Sequence, residues 1–193
     1  MLYQLSYTPK EKFSSMQSLV LKAREFAREA HKDQLRRYTG DPYYLHLEEV
    51  AGMVAVAGLS QEAIAAAWLH DTIEDQSVST LSLLRQFGKE TTKLVVALTD
   101  TPAGPGLNRE KRKAMDRDRL ARASAEAQSI KCADLISNTS SIVKHDPDFA
   151  KVYLPEKRAI LEALTRAHPK LLAMAWASLR RAEDDLLQKA LSP

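Results

Sequence analysis

The stretch AIAAAWLHDTIED, residues 63–75, constrains this chain more than any other. Seven apolar residues run without interruption from Ala63 to Leu69 and give way at once to a histidine and three carboxylates. A helix apolar on all sides must be surrounded, so other elements have to pack around it. The run is far below the ~20 residues a membrane span requires, so the surroundings are protein and not lipid. The polar end, His70, Asp71, Glu74 and Asp75, then falls at the edge of the core. If helical geometry persists, His70 stacks on Glu74 and Asp71 on Asp75 in two adjacent columns. Carboxylates crowded there repel one another and are costly to desolvate without a partner. A solvated helix end relieves that cost, and so does a divalent metal.

The neighbours of this helix read as helices too. Leu19, Val20, Ala23, Phe26, Ala27 and Ala30 recur at three- and four-residue spacing between Met16 and His31. Thr39-Gly40-Asp41-Pro42 predicts a turn. Leu47, Val50, Ala51, Val54 and Ala57 mark a helix ended by Gly58, and Ser60 reads as the N-cap of the next. Thr80–Phe87, Thr91–Leu98, Arg109–Ala121, Glu126–Val143, Phe149–Ala167 and Lys170–Leu191 follow, with Pro155 expected to kink or split its helix. Residues 101–106 read as the one real loop. LVVAL (94–98) is ambiguous alone, and its helical neighbours decide it. Gly and Pro total 14 of 193 residues, little against the roughly 12% of average usage, which argues against a turn-rich β fold. The expected class is all-α, one domain over 1–193.

Charge and cysteine content narrow the function classes. A net charge of +3 excludes a polybasic nucleic-acid tail and leaves room for a local anion site. A single cysteine, Cys132, forms no internal disulfide. The start, MLYQLSYTPKEK, lacks the pattern of a signal peptide, so the expectation is a cytoplasmic protein with no membrane or nucleic-acid partner.

Two further positions join the acidic end. His46, in PYYLHLEEV, shares the inward face with Val50 and Val54, where it is either a core histidine or a ligand. Asp134 lies in SIKCADLISNTSSIV at the edge of a buried face and forms a polar column with Asn138 and Ser141. A salt bridge to Lys131 is the plain alternative for that aspartate.

The order His…His-Asp…Asp on separate helices resembles the HD phosphohydrolase superfamily. The segments FAREAHKDQLRRYTGDPYYLHLEEVA, AAWLHDTIED, FGKETTKLVVALTD and IKCADLISN resemble the hydrolase domain of RelA/SpoT homologues, most of all the stand-alone small alarmone hydrolases. The likeness runs from about Ala23 to Asn138, with helices over 146–193 completing the bundle. It implies that His46, His70, Asp71 and Asp134 ligate Mn²⁺ or another divalent ion. It places Glu74 and Asp75 beside the attacking water, and Arg36, Arg37, Asn138 and Ser141 at the nucleotide. The implied reaction is hydrolysis of the 3′-pyrophosphate of (p)ppGpp-like nucleotides, with pyrophosphate as product. Two alternatives are an HD nucleotidase or phosphodiesterase and a non-catalytic nucleotide-binding module. Leu47 replaces the family's usual proline. Ser140 stands where many long relatives carry arginine, which leaves base preference and phosphate count open between (p)ppGpp-like and (p)ppApp-like nucleotides.

Some basic residues keep two readings. Arg24, Arg28, Lys32 and Arg36 form either a solvated helical column or, at its end, a substrate contact. Arg109, Lys111, Arg112 and Lys113 are a solvated helix start or a phosphate gate. His31 reads as a core or supporting hydrogen-bonding residue, and Cys132 and Trp68 as packing.

Overall fold

A computed structural model of the chain describes residues 9–102 and 104–191, with the side chains of 9–18, 140 and 141 outside the described set. The described residues form α1 (Pro9–Ala30), α2 (Tyr44–Val56), α3 (Gln61–Leu69), α4 (Thr72–Gln76), α5 (Thr80–Leu98), α6 (Arg109–Arg122), α7 (Ala125–His145), α8 (Pro147–Ala163) and α9 (Pro169–Leu191). The all-α expectation holds. None of these helices is long and apolar enough to cross a membrane.

The apolar run occupies the centre. Every residue of α3 from Ala63 to Leu69 is buried, because α1, α2, α5 and α7 all pack against it. The alanines at 63 and 65–67 let those neighbours approach closely, and Trp68 and Leu69 fill the space between them. Cys132 and Trp68 are both buried, as packing residues. On the far side, α7 lies along α9, and α8 packs on α6, α7 and α9.

Helix starts follow the sequence closely. Ser60 Oγ accepts the Ala63 amide at 3.1 Å, and Ser79, Asn108, Ser124 and Asp146 cap α5 to α8 in the same way. Gly88 takes φ 79° and ψ 177°, a left-handed φ that suits glycine, and bends α5 where a stop was expected. Of the two outcomes expected at Pro155 the split is absent; α8 runs through it from Pro147 to Ala163. The carbonyl deprived of a partner belongs to exposed Lys151, where water can serve. The basic column also fails to reach Arg36, because α1 ends at Ala30. Arg36 instead sits in a short hairpin, its amide donating to the Asp41 carbonyl at 2.8 Å, next to a Leu35–Pro42 bridge.

Candidate metal centre and its cavity

Three buried helices deliver the expected donors to one point. His46 is the third residue of α2, Asp134 lies midway along α7, and His70 and Asp71 occupy the break between α3 and α4. That break is real: Asp71 has φ −97° and ψ −2°, and the Thr72 hydroxyl donates to the Leu69 carbonyl at 2.7 Å. One donor atom from each of His46, His70 and Asp134 lies within 4.8 Å of the others. Asp71 Oδ2 sits 3.1 Å from His70 Nε2 and 3.7 Å from His46 Nε2, and Asp134 Oδ1 sits 3.8 and 3.5 Å from the same two nitrogens. Donors around an ion at about 2.1 Å lie roughly 3–3.5 Å apart, so these spacings suit one small divalent cation.

The hydrogen bonds behind the rings decide which nitrogens face the centre. His70 Nδ1 lies 2.8 Å from the Ala67 carbonyl, which only accepts, so Nδ1 carries a proton and Nε2 is the nitrogen turned to the centre. His46 Nδ1 lies 2.8 Å from Ser137 Oγ. The Ser137 hydroxyl donates to Glu49 Oε2, so it accepts from His46, and His46 Nε2 is bare. Both Nε2 atoms are buried and without a hydrogen-bond partner. A buried nitrogen lone pair left unmatched is costly unless something binds it.

The electrostatics ask for positive charge at the same point. Burial, with His70 adding to it, pushes His46 down to about 4, so its lone pair is available. Burial opposes ionisation of Asp71, and His70 outweighs it and holds the carboxyl at about 2. Burial likewise opposes ionisation of Asp134, which Lys131 and His70 hold well below the usual range. Burial works against charge on His70, yet Asp71 and Asp134 raise it well above its ordinary value. Two carboxylates facing two imidazoles, with His70 and Lys131 balancing them, make a site that a cation could share. The mixed nitrogen and oxygen set fits a borderline divalent metal.

The centre opens into a cavity of about 240 Å³ whose lining includes Asp71, Glu74, Asp75, Asp134 and Asn138. Glu74 Oε2 accepts the Asp100 amide at 3.2 Å, and burial, then Asp100, raises its pKa. Asp75 Oδ2 accepts from Gln34 Nε2 at 2.8 Å, and Gln34 Oε1 lies 2.6 Å from His31 Nδ1. His31 is therefore a supporting residue, stacked on Tyr43 at 5.2 Å. A second cavity, about 260 Å³, adjoins the first through Tyr43, Asn138, Phe149 and Tyr153 and contains Arg36 and Arg37. Arg36 reaches Ser137 Oγ at 3.3 Å and Asn138 Oδ1 at 3.5 Å, whereas Arg37 is exposed over the Tyr38 ring. The Ser141 side chain lies outside the described residues. The Asp134–Lys131 salt bridge, the plain alternative for that aspartate, is present at 2.7 Å.

Several contributors escape a sequence reading. Tyr43 donates its hydroxyl to Asp71 Oδ2 at 2.7 Å, and Ser137 and Glu49 anchor His46. The basic start of α6 divides: Arg109 and Lys113 line the first cavity, while Lys111 is exposed. A larger cavity of about 630 Å³ along the α7–α9 seam contains none of the four donors.

Comparison with known proteins follows this geometry. Residues 23–151 match the family model of the HD domain, a span that includes all four donors and the acidic pair. A guanosine-3′,5′-bis(diphosphate) 3′-pyrophosphohydrolase of Aquifex aeolicus is 41% identical over 80 residues, covering 42% of this chain and 11% of that protein. A probable chloroplastic GTP diphosphokinase of Arabidopsis thaliana is 35% identical over 133 residues, covering 66% of this chain and 18% of that one. The chain thus spans between a tenth and a fifth of the length of the curated relatives it matches. Among solved structures, a metazoan ortholog of SpoT that hydrolyses ppGpp superposes with a TM-score of 0.75 at 23% identity, over 85% of this chain and 95% of that one. The lmo0812 protein of Listeria monocytogenes EGD-e superposes with a TM-score of 0.62 at 22% identity, over 76% of this chain and 99% of that one. These two likenesses concern the fold.

Proposed function

The chain belongs to the HD domain family, and on that premise we propose that it is a manganese-dependent hydrolase of ppGpp-like nucleotides, releasing pyrophosphate from their 3′ position. The observation that carries this reading is the pair of buried Nε2 atoms, of His46 and His70, within 3.8 Å of Asp71 and Asp134, two carboxylates that line a cavity with basic walls. The likeness to a 3′-pyrophosphohydrolase supports the substrate class.

His46, His70, Asp71 and Asp134 would hold the ion, with Mn²⁺ suited to two imidazoles and two carboxylates. When bound, such an ion supplies Lewis acidity toward a phosphoryl oxygen and makes water more acidic. The chain's own groups do the rest. Glu74, its pKa raised by burial and Asp100, takes a proton from the attacking water. Asp75, tethered by Gln34, orients that water. The water oxygen bonds to the phosphorus attached to the 3′ oxygen, the P–O3′ bond breaks, the 3′ oxygen leaves with a proton, and pyrophosphate departs. Arg36 and Asn138 face the nucleoside in the adjoining cavity, where a planar guanidinium can stack or pair. Guanosine and adenosine forms are both substrates of this reading.

Purified protein incubated with Mn²⁺ and a nucleotide panel, with products resolved by chromatography, tests it. Pyrophosphate from 3′-diphosphates is expected, and loss of turnover in EDTA. Glu74→Gln should lower kcat about 10²–10⁴-fold with metal content unchanged. Full activity in excess EDTA, wild-type turnover by Glu74→Gln, or a preference for phosphodiesters would each overturn the reading.

A further inference from the structure

Four cationic side chains line the metal-centre cavity, and three of them are already matched to carboxylates. Arg109 makes a two-pronged pair with Glu156 at 2.7 and 2.8 Å, Lys113 pairs with Asp100 at 2.5 Å, and Lys131 pairs with Asp134 at 2.7 Å. Lys157 is the exception. Among the described residues no carboxylate lies within 4.0 Å of its amine, which sits over the face of Tyr153, 4.5 Å from the ring centre. Only 6% of Lys157 is exposed.

The position makes the charge harder to explain as packing. Leu154, Ile160 and Leu161 are buried on the same face of α8, so a leucine or methionine would suit position 157. A buried ammonium without a counter-ion is among the costliest groups a core can hold. Cation–π contact with one tyrosine offsets only part of that cost. Burial accordingly pulls the amine down to about 7, while Asp134 acts in the opposite sense. An anion arriving in the cavity would restore the charge and satisfy the amine together.

We propose that Lys157 is the binding residue for the terminal phosphate of a substrate diphosphate, the phosphate one P–O–P link beyond the phosphorus that water attacks. The assignment rests on the hydrolase reading above. The attacked phosphorus belongs at the floor, beside Glu74 and the donors, where Lys131 already neutralises Asp134. The next phosphate reaches the α8 wall, where Lys157 alone among these cations has no carboxylate to give up. A monophosphate at the same carbon leaves this amine unsatisfied. Lys157 therefore sets phosphate count at the hydrolysed end.

Lys157→Met keeps length and suits the apolar surroundings, and Lys157→Gln provides a second variant if the first does not fold. The probes are inorganic pyrophosphate and orthophosphate, titrated calorimetrically into manganese-loaded protein whose metal content is checked by elemental analysis. Pyrophosphate affinity should fall about 10–100-fold, the range of a charge-assisted hydrogen bond. Orthophosphate affinity and metal content should hold, and Tm should stay or rise. Unchanged pyrophosphate affinity, equal weakening of both probes, or loss of metal would overturn the proposal. The two readings fail separately. If wild type hydrolyses no nucleotide 3′-diphosphate yet the variants lose pyrophosphate selectively, the hydrolase reading falls and the subsite stands. If wild type hydrolyses it and the variants bind pyrophosphate normally, the reverse holds.

Discussion

The floor and the walls of the cavity are built on opposite principles. At the floor, His46 and His70 are fixed from behind, by Ser137 with Glu49 and by the Ala67 carbonyl, and their forward nitrogens are left unmatched. Along the walls, Arg109, Lys113 and Lys131 have carboxylate partners of their own. The floor leaves two buried nitrogens that a bound cation would match. The walls are mostly balanced before any ligand enters, so an anionic ligand would have to share or exchange their partners. Changes at the floor should therefore act nearly all-or-none, and changes along the walls should be graded.

The strongest break in that contrast comes from Asp71→Asn, which neutralises one of the two carboxylates beside the histidines. Bound metal and turnover should vanish together, with activity down by at least about 10³-fold, as elemental analysis and kcat measured side by side would reveal. Metal retained with only the rate lost would move Asp71 from the floor to the acidic pair. A smaller effect belongs to Ser137→Ala, which touches no ion but frees the His46 ring. Metal affinity should drop about 10–100-fold in competition with a chelator. An unchanged affinity would mean that packing alone fixes His46. Smallest is Arg36→Ala, whose contacts to Ser137 and Asn138 span 3.3–3.5 Å. KM for a nucleotide should rise by roughly 10-fold or less with the metal undisturbed. If Arg36→Ala instead weakens the metal as Ser137→Ala does, the floor extends further than drawn here.

Much of the scaffold was legible because helical periodicity and capping are local. The run 63–69 foretold a surrounded helix, Ser60 its cap, and the gap between Phe87 and Thr91 the interruption of α5 at Gly88. His46, His70, Asp71 and Asp134 stood out by their order on separate helices, and their joint role as ligands was implied by the family resemblance and not by periodicity. What periodicity does not carry is direction after a helix ends. Arg36 continued the α1 column on paper, but the chain turns after Ala30 and brings it to Ser137, more than a hundred residues away, instead of to solvent. Tyr43 and Glu49 lie beside His46 in sequence, yet their roles depend on hydroxyls and carboxylates contributed by other helices. Lys157 was hidden for the opposite reason, since a lysine on an amphipathic helix reads as a solvated face until its neighbours are known.

Cys132 stands two residues ahead of Asp134 on α7, fully buried, with its thiol pushed up to about 12 by burial. At neutral pH almost none of it is thiolate, and the sulfur is sealed from reagents while α7 stays packed. Alkylation of this lone thiol therefore counts the moments when the helix comes away from its neighbours. Any ion held by Asp134 binds only the packed form, so the labelling rate should slow by a factor of 1 + [M]/Kd. The molecule carries its own clock for metal occupancy, one that runs without substrate and without turnover.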